Sequence, residues 1–331
     1  MRSLDVHTHV LPPELPRWSP MRLERVDECS ARLLREDGTL FREIRSNCWD
    51  PVTRLKECEE SGVGVQVLST VPVLFAYRLP SPRGDDLARL LNDHVAALCR
   101  ERPRRFIGLG TLPMQSPDRA VRELDRCLGE LGLAGVEIGS HVNDWNLSDP
   151  ALFPVFSRAE ELGAAVFVHP WDMMGESRMP RYWLPWLVGM PAEVSLAICS
   201  VIFGGVLERL PRLRIAFAHG GGAFPGTLGR IEHGFHARPD LVAVDNPHPP
   251  SRYLKRIYVD SLVHNERVLR YVLEVFGPDR VALGSDYPFP LGEERPGSLI
   301  DSLNLPPDVR ERLRSGTALE WLGRQAGAYD L

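Results

Sequence analysis

Short apolar segments alternate with helical patterns along the whole 331-residue chain. The segments are rich in Val, Ile, Leu or Phe and are bounded by Gly, Pro or charged residues, which is typical of strands buried on both faces of a parallel sheet. The predicted strands are Leu4–Val10, Val63–Ser69, Phe106–Thr111, Gly135–Gly139, Ala165–His169, Arg214–His219, Arg256–Ser261 and Arg280–Ser285. Eight such units predict an α/β fold of the (β/α)8 TIM-barrel type.

An open, doubly wound sheet is the alternative fold. The barrel is favoured because the strand count is eight and because no glycine-rich nucleotide loop follows the first strand. The predicted helices are Pro51–Ser61, Asp85–Glu101, Asp118–Leu131, Pro150–Leu162, Ala192–Leu210 and Asn265–Val275, with C-terminal helices over Pro306–Arg314 and Thr317–Leu322. We expect residues 1–331 to form a single domain.

Two segments interrupt the alternation. Residues 12–47 form a long insertion after the first strand, and two β-like runs flank Asp37-Gly38 within it, which predicts a small β-hairpin. Trp171–Met190 follows the fifth strand and is rich in Trp, Met and Pro. Both segments follow the C-terminal end of a strand, so we expect them to cover the catalytic face of the barrel.

Composition limits the class of function. The chain is 44% apolar and 25% charged, which is typical of a soluble globular protein, and its net charge of −5 argues against a nucleic-acid-binding protein. The longest apolar stretches, Trp183–Met190 and Ala197–Val206, are shorter than the ~18 residues of a membrane helix, so no membrane association is expected. Six scattered cysteines without a Cys-x-x-Cys pair favour reduced thiols and a cytoplasmic protein.

Five side chains that can bind a metal fall at the C-terminal ends of predicted strands. His7 and His9 end the first strand, where alternate side chains share a face. His169 ends the fifth strand, His219 ends the sixth, and Asp286 follows the eighth. Each residue alone has an ordinary structural alternative, such as a hydrogen-bonded histidine or a turn-forming aspartate. Together, at one rim, they predict a metal site.

Nitrogen and oxygen ligands without thiolate suit Zn²⁺, with Mn²⁺, Fe²⁺ or Co²⁺ as alternatives. Three histidines and one aspartate leave room for substrate or for a water whose pKa the ion lowers. A fourth histidine is then free to transfer protons. His219 fits this role because it precedes Gly220–Gly222, which we expect to be flexible and to admit substrate close to the backbone. A simple loop and a phosphate cradle are the alternative interpretations of the glycines.

The motifs that contain these residues resemble the amidohydrolase superfamily. Within it the chain is similar to the family of decarboxylases that act on 2-amino-3-carboxymuconate 6-semialdehyde, and the resemblance runs from residue 5 to residue 293. The motifs are Asp5-Val6-His7-Thr8-His9, Asn47-Cys48-Trp49-Asp50-Pro51, His169-Pro170-Trp171-Asp172-Met173, Tyr182-Trp183-Leu184-Pro185-Trp186 with the residues up to Glu193, Ala218-His219-Gly220-Gly221-Gly222-Ala223-Phe224-Pro225, and Gly284-Ser285-Asp286-Tyr287-Pro288-Phe289-Pro290-Leu291-Gly292-Glu293. The resemblance implies one zinc ion per chain, and it also implies catalytic roles for His219 and Asp286, with His219 as the acid/base. The implied zinc ligands are His7, His9, His169 and Asp286.

The resemblance also implies the substrate and the assembly. The implied reaction is non-oxidative loss of CO2 from a dicarboxylate of tryptophan (kynurenine) catabolism, which gives 2-aminomuconate 6-semialdehyde, and the implied assembly is a homodimer. Arg42 on the hairpin and Arg230 match the family's substrate arginines, and Arg230 is donated to the neighbouring site. Arginine pairs carboxylates in a bidentate manner, which suits such a substrate. Thr39 and Ser285 stand where related sequences can carry Lys and Thr, and the first change alters the charge expected near the pocket.

Met173, Trp186 and Phe289 are candidates for the wall that contacts the planar substrate, with ordinary core packing as the alternative. Two chemistries fit the same residues. In one, His219 takes a proton from a metal-bound water that adds to the substrate, and in the other the metal binds the substrate directly and protonation of carbon drives decarboxylation.

Other functions remain open at this level. The same zinc and water fit a related decarboxylase or a hydrolase acting on another aromatic-derived acid, a lactone or an amide. The fourth strand has Glu137 but no lysine to bridge two ions, which argues against a two-metal hydrolase. A metal-dependent scaffold without activity is the third hypothesis, and the complete residue set with His219 argues against it.

Overall fold

The strands and helices follow one another in a regular order. The structure is a computed structural model and describes residues 2–331. The strands are β1 (Ser3–Val10), β2 (Met21–Arg25), β3 (Ser30–Arg35), β4 (Leu40–Arg45), β5 (Val63–Thr70), β6 (Phe106–Thr111), β7 (Gly135–Gly139), β8 (His141–Val142), β9 (Trp145–Asn146), β10 (Ala165–His169), β11 (Arg214–Phe217), β12 (Ile257–Asp260) and β13 (Val281–Ala282). The helices are α1 (Pro51–Ser61), α2 (Ser81–Glu101), α3 (Pro117–Gly129), α4 (Phe153–Leu162), α5 (Met190–Phe203), α6 (Val206–Arg209), α7 (Phe224–Ala237), α8 (Pro239–Val242), α9 (Glu266–Phe276), α10 (Ser298–Ser302), α11 (Pro307–Glu311) and α12 (Thr317–Leu322).

Eight parallel strands form a closed barrel. Their order around the barrel is β1, β5, β6, β7, β10, β11, β12, β13. The first and last strands meet, because the backbone N–H of Val6 donates to the carbonyl of Leu283 (2.9 Å) and that of His9 donates to the carbonyl of Tyr287 (2.8 Å). The predicted (β/α)8 barrel is confirmed and the open sheet is wrong. The last strand is shorter than predicted, so Asp286 lies in a loop that continues along β1.

The local sequence explains where α1 begins and ends. The Asp50 carboxylate accepts hydrogen bonds from the backbone N–H groups of Val52 and Thr53, which have no partner inside the helix. Pro51 takes the first helical position, where no N–H is needed. Gly62 ends the helix with φ at 75°, a conformation that glycine adopts at little cost. The predicted bounds of this helix are therefore those observed.

Two helix predictions need correction. Sequence patterns predict no helix between the sixth and seventh strands, but α7 and α8 lie there. Three glycines within α7, at 226, 229 and 234, weaken the helical pattern. The single helix predicted over Ala192–Leu210 is two helices, because the chain breaks at Gly204-Gly205, where Gly205 has φ at 68°.

The insertion after β1 folds into a three-stranded antiparallel sheet of β2, β3 and β4. The predicted hairpin is β3–β4, and its turn contains Gly38 with φ at 84°. The β2 strand was not apparent from the sequence because its Met-Arg-Leu-Glu-Arg run has few apolar residues. The sheet packs on Leu11, Val71 and Leu74 at the barrel rim, and the same cluster contacts Phe289. This packing places β4 above the C-terminal ends of the strands.

The opposite end of the barrel is closed by the C-terminal helix α12. Trp321 is buried there, with its ring centroid 5.9 Å from that of Phe167 inside the barrel. A larger cluster of buried apolar side chains lies between the strands and the surrounding helices. Since α12 closes this end, the C-terminal ends of the strands are left for a functional site.

One helical stretch, Pro185–Phe203, is long and apolar enough to span a bilayer by length and composition alone. This differs from the sequence expectation that no stretch reaches that length. Val194, Ala197 and Ile198 of this stretch are buried in the main core cluster, and Glu193 is buried as well. Because the core helix of a soluble protein passes the same test, the stretch is weak evidence for a membrane span.

Candidate metal centre

Three imidazole rings meet at the C-terminal end of the barrel. The rings of His7, His9 and His169 are 5.0 Å apart in each pair and nearly perpendicular, with interplanar angles of 86°, 82° and 87°. Each of these residues has a possible ligand atom, as does Asp286, and all four atoms lie within 4.8 Å of one another. The structure therefore brings together the four residues that the sequence predicts as metal ligands.

Strand β1 places the first two rings. Its pairing with β5 shifts between Asp5 and Thr8, so one extra residue enters β1 just before the second histidine. Such bulges redirect side chains and are common beside active sites. His7 and His9 still point to the same side, and their Nε2 atoms are 3.1 Å apart.

The outer nitrogen of each ring contacts a hydrogen-bond acceptor. His9 Nδ1 lies 3.0 Å from the Thr70 carbonyl, and His169 Nδ1 lies 2.8 Å from the Pro170 carbonyl. His7 Nδ1 lies 2.7 Å from the Asp260 carboxylate. With a proton on each Nδ1, each Nε2 offers a lone pair to the centre.

The Nε2 atom of His169 supports this assignment. It is buried and has no hydrogen-bond partner among residues 2–331. Buried polar atoms are nearly always paired, so an orphaned lone pair that faces other donors fits a missing cation. The donor set of three imidazoles and one carboxylate is of the kind that binds Zn²⁺ or Mn²⁺.

Asp286 completes the cluster from the loop after β13. Its Oδ1 lies 3.1 Å from His9 Nε2 and 3.6 Å from His7 Nε2. Burial alone would raise the pKa of Asp286, but the neighbouring imidazoles of His219 and His9 and the charge on His7 lower this pKa well below its usual value. The carboxylate is therefore ionised, as a metal ligand must be.

The histidines differ in their protonation. Burial lowers the pKa of His169 well below its usual value and also lowers that of His9, so both rings are neutral. Burial likewise disfavours a charged His7, but the hydrogen bond to Asp260 and the charges of Asp286 and Asp260 raise its pKa to about 9. The negative charges around the cluster therefore favour a positive charge at its centre, and a bound metal cation supplies one.

His219 lies beside the cluster rather than in it. It occupies the turn after β11, with φ at 57°. Its ring is 5.2 Å from those of His7 and His169, and its Nε2 is 3.9 Å from Asp286 Oδ2. The His219 side chain is 15% exposed, whereas His7 and His9 are fully buried. The ring is therefore partly accessible, although His219 is not among the side chains that line the cavity of about 680 Å³ above the metal centre.

The glycines after His219 do not have the role expected from the sequence. Gly220 and Gly222 both have positive φ, at 62° and 60°. A Cβ on Gly220 would meet Val263 at 2.3 Å, and one on Gly222 would meet the Pro191 carbonyl at 2.5 Å. The run is a tightly packed turn that carries His219. The expectation from the sequence, that the run is flexible and admits substrate close to its backbone, is therefore wrong.

Two buried carboxylates lie beside the cluster. Asp260 contacts His7 directly and was missed by sequence reasoning, although it ends β12 and the strand-end criterion finds it. Within the described part of the chain, neither carboxylate oxygen of Glu137 on β7 has a hydrogen-bond partner, and its Oε1 is 3.7 Å from His9 Nδ1. Burial raises the pKa of Glu137 well above its usual value. Because Nδ1 is the outer nitrogen, Glu137 stands outside the ligand cluster.

A cavity of about 680 Å³ opens above the metal centre. Four of the five predicted substrate-binding residues line it, together with His9, His169 and Asp286. Those four are Arg42, Met173, Trp186 and Phe289. The Arg42 guanidinium lies 4.6 Å from the centre of the Phe289 ring, which in turn lies 5.6 Å from that of His9. The lining therefore runs from the arginine to the metal centre.

Other residues of this lining were missed from the sequence. Arg35 on β3 lines the cavity, and so does Arg78, which forms an ion pair with Asp172. Thr39 binds the Asp37 carboxylate through its N–H (2.8 Å) and its hydroxyl (2.7 Å) in the hairpin turn. Thr39 therefore stabilises the turn of the hairpin.

The fifth predicted substrate residue, Arg230, lies elsewhere. It is exposed on α7 and is not among the residues that line this cavity. A single chain thus brings Arg42 to its metal centre and leaves Arg230 on the outer surface.

The family model described as amidohydrolase matches residues 4–324, nearly the whole chain. The chain belongs to the amidohydrolase family. Among curated amidohydrolases, the 2-amino-3-carboxymuconate-6-semialdehyde decarboxylase of Dictyostelium discoideum is 54% identical, over 99% of this chain and 93% of that protein. The resemblance stated from the motifs is confirmed.

Solved amidohydrolase structures share the fold. The 5-carboxyvanillate decarboxylase of Sphingomonas paucimobilis is 30% identical over 85% of both chains, with a TM-score of 0.78. The 5-carboxyvanillate decarboxylase of Novosphingobium aromaticivorans, solved with manganese, is 24% identical over 84% of this chain and 82% of that chain, with a TM-score of 0.76. The enzyme class expected from the sequence, a metal-dependent carboxy-lyase, is confirmed for this amidohydrolase.

Proposed function

We propose that this enzyme removes CO2 from 2-amino-3-carboxymuconate 6-semialdehyde and forms 2-aminomuconate 6-semialdehyde, a step of tryptophan catabolism by the kynurenine route. One observation carries the proposal: the cavity above the metal cluster also contains Arg42 and aromatic side chains. A planar dicarboxylate needs these features. The 54% identity to the Dictyostelium discoideum decarboxylase supports the choice of substrate.

We propose one zinc ion per chain. The residues that would hold it are His7, His9, His169 and Asp286, whose ligand atoms converge. Neutral imidazoles and one carboxylate suit zinc, and manganese is the main competitor. When bound, the ion supplies a Lewis acid that polarises substrate oxygens and lowers the pKa of a neighbouring water.

His219 and Asp286 are proposed to supply the proton that replaces the lost carboxylate on the substrate carbon. Decarboxylation breaks the bond between a substrate carbon and its carboxylate, and the electron pair left on carbon takes up one proton. The partly exposed His219 ring is placed to donate that proton and to regain it from solvent. The ionised Asp286 carboxylate lies 3.9 Å from His219 Nε2, so the two groups are proposed to act together in the proton transfer.

The carboxylate that stays on the substrate needs a cationic partner. Arg42 is proposed to pair with it in a bidentate manner, which fixes the orientation of the conjugated chain. Burial lowers the pKa of Arg42, but arginine remains charged at neutral pH. Met173, Trp186 and Phe289 are proposed to hold the flat chain between apolar surfaces and to exclude water.

We also propose a homodimer in which Arg230 of one subunit completes the cavity of the other. The exposed position of Arg230 on α7, away from its own cavity, is consistent with this arrangement. A symmetric dimer forms two such sites at once. We further propose that residues 1–331 act as one domain, with residues 12–47 as an insertion over the active-site face, and that the protein is cytoplasmic. Free cysteines throughout residues 2–331 are compatible with a reducing compartment.

The test is a spectrophotometric assay of the purified, zinc-loaded protein on freshly generated substrate. We expect loss of the substrate absorbance, release of one CO2 per substrate and about one zinc per chain. No loss of absorbance would exclude this substrate. Parallel assays with gamma-resorcylate and 5-carboxyvanillate then ask whether the enzyme decarboxylates aromatic acids instead, and two metal ions per chain with lactone hydrolysis would assign a hydrolase.

A further inference from the structure

The carboxylate of Asp260 contacts both His7, a candidate metal ligand, and the turn that carries His219. Its Oδ2 lies 2.7 Å from His7 Nδ1 and accepts the backbone N–H of His219 at 2.8 Å. Its Oδ1 accepts the backbone N–H groups of Gly220 at 2.8 Å and of Leu262 at 3.1 Å. The Asp260 side chain is fully buried, so no solvent competes for these bonds.

We propose that Asp260 is a positioning residue with two tasks. It holds His7 in the form with a proton on Nδ1, which keeps the Nε2 lone pair available to the metal. The same carboxylate fixes the turn that carries His219, so that one side chain sets both metal affinity and proton transfer. The proposal rests on the metal-dependent function proposed above.

Asp260 differs from the groups that hold the other two rings. His9 and His169 contact the backbone carbonyls of Thr70 and Pro170, which are present whatever the side chain at those positions. The His7–Asp260 contact, at 2.7 Å, is a hydrogen bond to a charged side chain, whereas the side chains near His9 Nδ1 are more distant, with the Ser69 hydroxyl at 3.4 Å and the Glu137 carboxylate at 3.7 Å. Carboxylate partners of metal-binding histidines fix the ring orientation and raise its basicity as a ligand.

The substitution Asp260→Asn keeps the size of the buried side chain but removes its charge, so it tests the two tasks without a change in packing. All four partners of Asp260 are N–H groups, and an amide offers one oxygen and one NH2 group. If the NH2 group faces His7, the ring must move its proton to Nε2, where it blocks metal binding. If the NH2 group faces Gly220 and Leu262, opposed N–H groups push the His219 turn out of place.

Asp5 provides a matched control on β1. It is also fully buried, and its carboxylate accepts the backbone N–H groups of His7 at 3.1 Å and Ser285 at 3.0 Å. Its other oxygen accepts the Ser285 hydroxyl. A hydroxyl can reverse and accept a bond from an amide, so Asp5→Asn can keep every hydrogen bond. None of these Asp5 contacts is to an imidazole ring.

The test compares zinc affinities of the wild type, D260N and D5N by competition with a chromophoric chelator, with the thermal midpoint of each protein as a folding check. We expect D260N to bind zinc ~10–100-fold more weakly and D5N to stay within about threefold of the wild type. With zinc at saturation, D260N should also lower kcat without raising KM, because the substrate contacts are intact. Zinc affinity of D260N within threefold of the wild type would overturn the proposal.

A second measurement needs no variant and decides the matter if D260N does not fold. Nitrogen-15 NMR of the zinc-loaded wild type should show His7 with a proton on Nδ1 and zinc on Nε2. Zinc on Nδ1, or no proton there, would also overturn the proposal. If D260N binds zinc weakly but the wild type has no decarboxylase activity, this inference stands and the proposed function is wrong. If the wild type decarboxylates the substrate but D260N binds zinc as tightly as the wild type, this inference alone is wrong.

Discussion

The floor and the roof of the active-site cavity are built in different ways. The floor consists of side chains at the strand ends, namely His7, His9, His169, His219, Asp260 and Asp286. The roof comes from the β2–β4 sheet, from the segment Trp171–Met190 and from Phe289 in the loop after β13. Floor residues converge because eight parallel strands end at one rim, whereas roof residues depend on loop packing. The floor is therefore expected to set the chemistry and the roof to set the choice of substrate.

The largest effect is expected for Asp286→Ala, which removes a floor ligand. Metal should be lost, and turnover should fall to the level of the metal-free protein, because the three imidazoles that remain carry no negative charge to offset that of the bound cation. Metal analysis after dialysis and a turnover assay check this. The matched roof variant Phe289→Leu should keep its metal. Full metal content in D286A would show that the ligand set is wrong.

His219→Asn tests a floor residue that is not a ligand. We expect one metal per chain to remain and kcat to fall ~10²–10⁴-fold, the range typical of general acid–base catalysis. Metal analysis and steady-state kinetics on the same preparation separate the two properties. Unchanged turnover would remove His219 from the proton-transfer step, and loss of metal would place it in the ligand set.

Arg42→Lys tests the roof. The charge stays but the bidentate geometry is lost, so KM should rise ~10–100-fold while metal content and kcat change little. Steady-state kinetics with the dicarboxylate provide the measurement. As a control, Arg32→Lys alters an arginine of the same sheet whose partner is the exposed Glu43, and it should leave KM unchanged. Equal effects of the two variants would contradict a substrate contact at Arg42.

The pH dependence of zinc binding should be set by the protonation of the floor histidines. His7, with its pKa raised to about 9, holds a proton below that pH, and zinc must displace it. The pKa values of His9 and His169 are lowered, so these rings release no further proton near neutral pH. Apparent zinc affinity should therefore fall by up to ~10-fold per pH unit as pH decreases below about 9. R42K should show the same slope, and a flat profile would contradict the assignment.

The smallest signal is expected from mixed dimers. H219A and R230A should each be nearly inactive alone, but a mixture restores sites that combine an intact His219 with an intact Arg230 from the neighbour. Random exchange of subunits predicts recovery of about a quarter of wild-type turnover. Assays of each variant alone and of the mixture after subunit exchange measure this. No recovery, with exchange verified by labelled subunits, would exclude the shared site.

The sequence was sufficient for most of the floor. His7, His9, His169 and Asp286 could be predicted as neighbours because strand ends of a barrel converge, whatever the details of packing. Asp260 obeys the same rule at the end of β12, so its omission was avoidable. The hydrogen bond between Asp260 and His7 Nδ1 could not be predicted from the sequence, because hydrogen-bond partners depend on side-chain orientation.

The roof was less accessible to prediction. The hairpin could be predicted from Asp37-Gly38, but β2 and the cavity positions of Arg35 and Arg78 depend on long-range packing that leaves no periodic pattern. The helix α7 was hidden by its glycines, which lower helix propensity until tertiary contacts compensate. The interpretation of Gly220–Gly222 as flexible was wrong because their positive φ values serve a packed turn.

Anomalous X-ray diffraction from zinc-loaded crystals tests the central claim most directly. The account predicts one zinc peak per chain, bonded to the Nε2 atoms of His7, His9 and His169 and to the Asp286 carboxylate. Its distances should be about 2.0–2.2 Å, as for other zinc sites with nitrogen and oxygen ligands. A peak bonded to an Nδ1 atom, a second peak at Glu137, or zinc held outside this floor would contradict it.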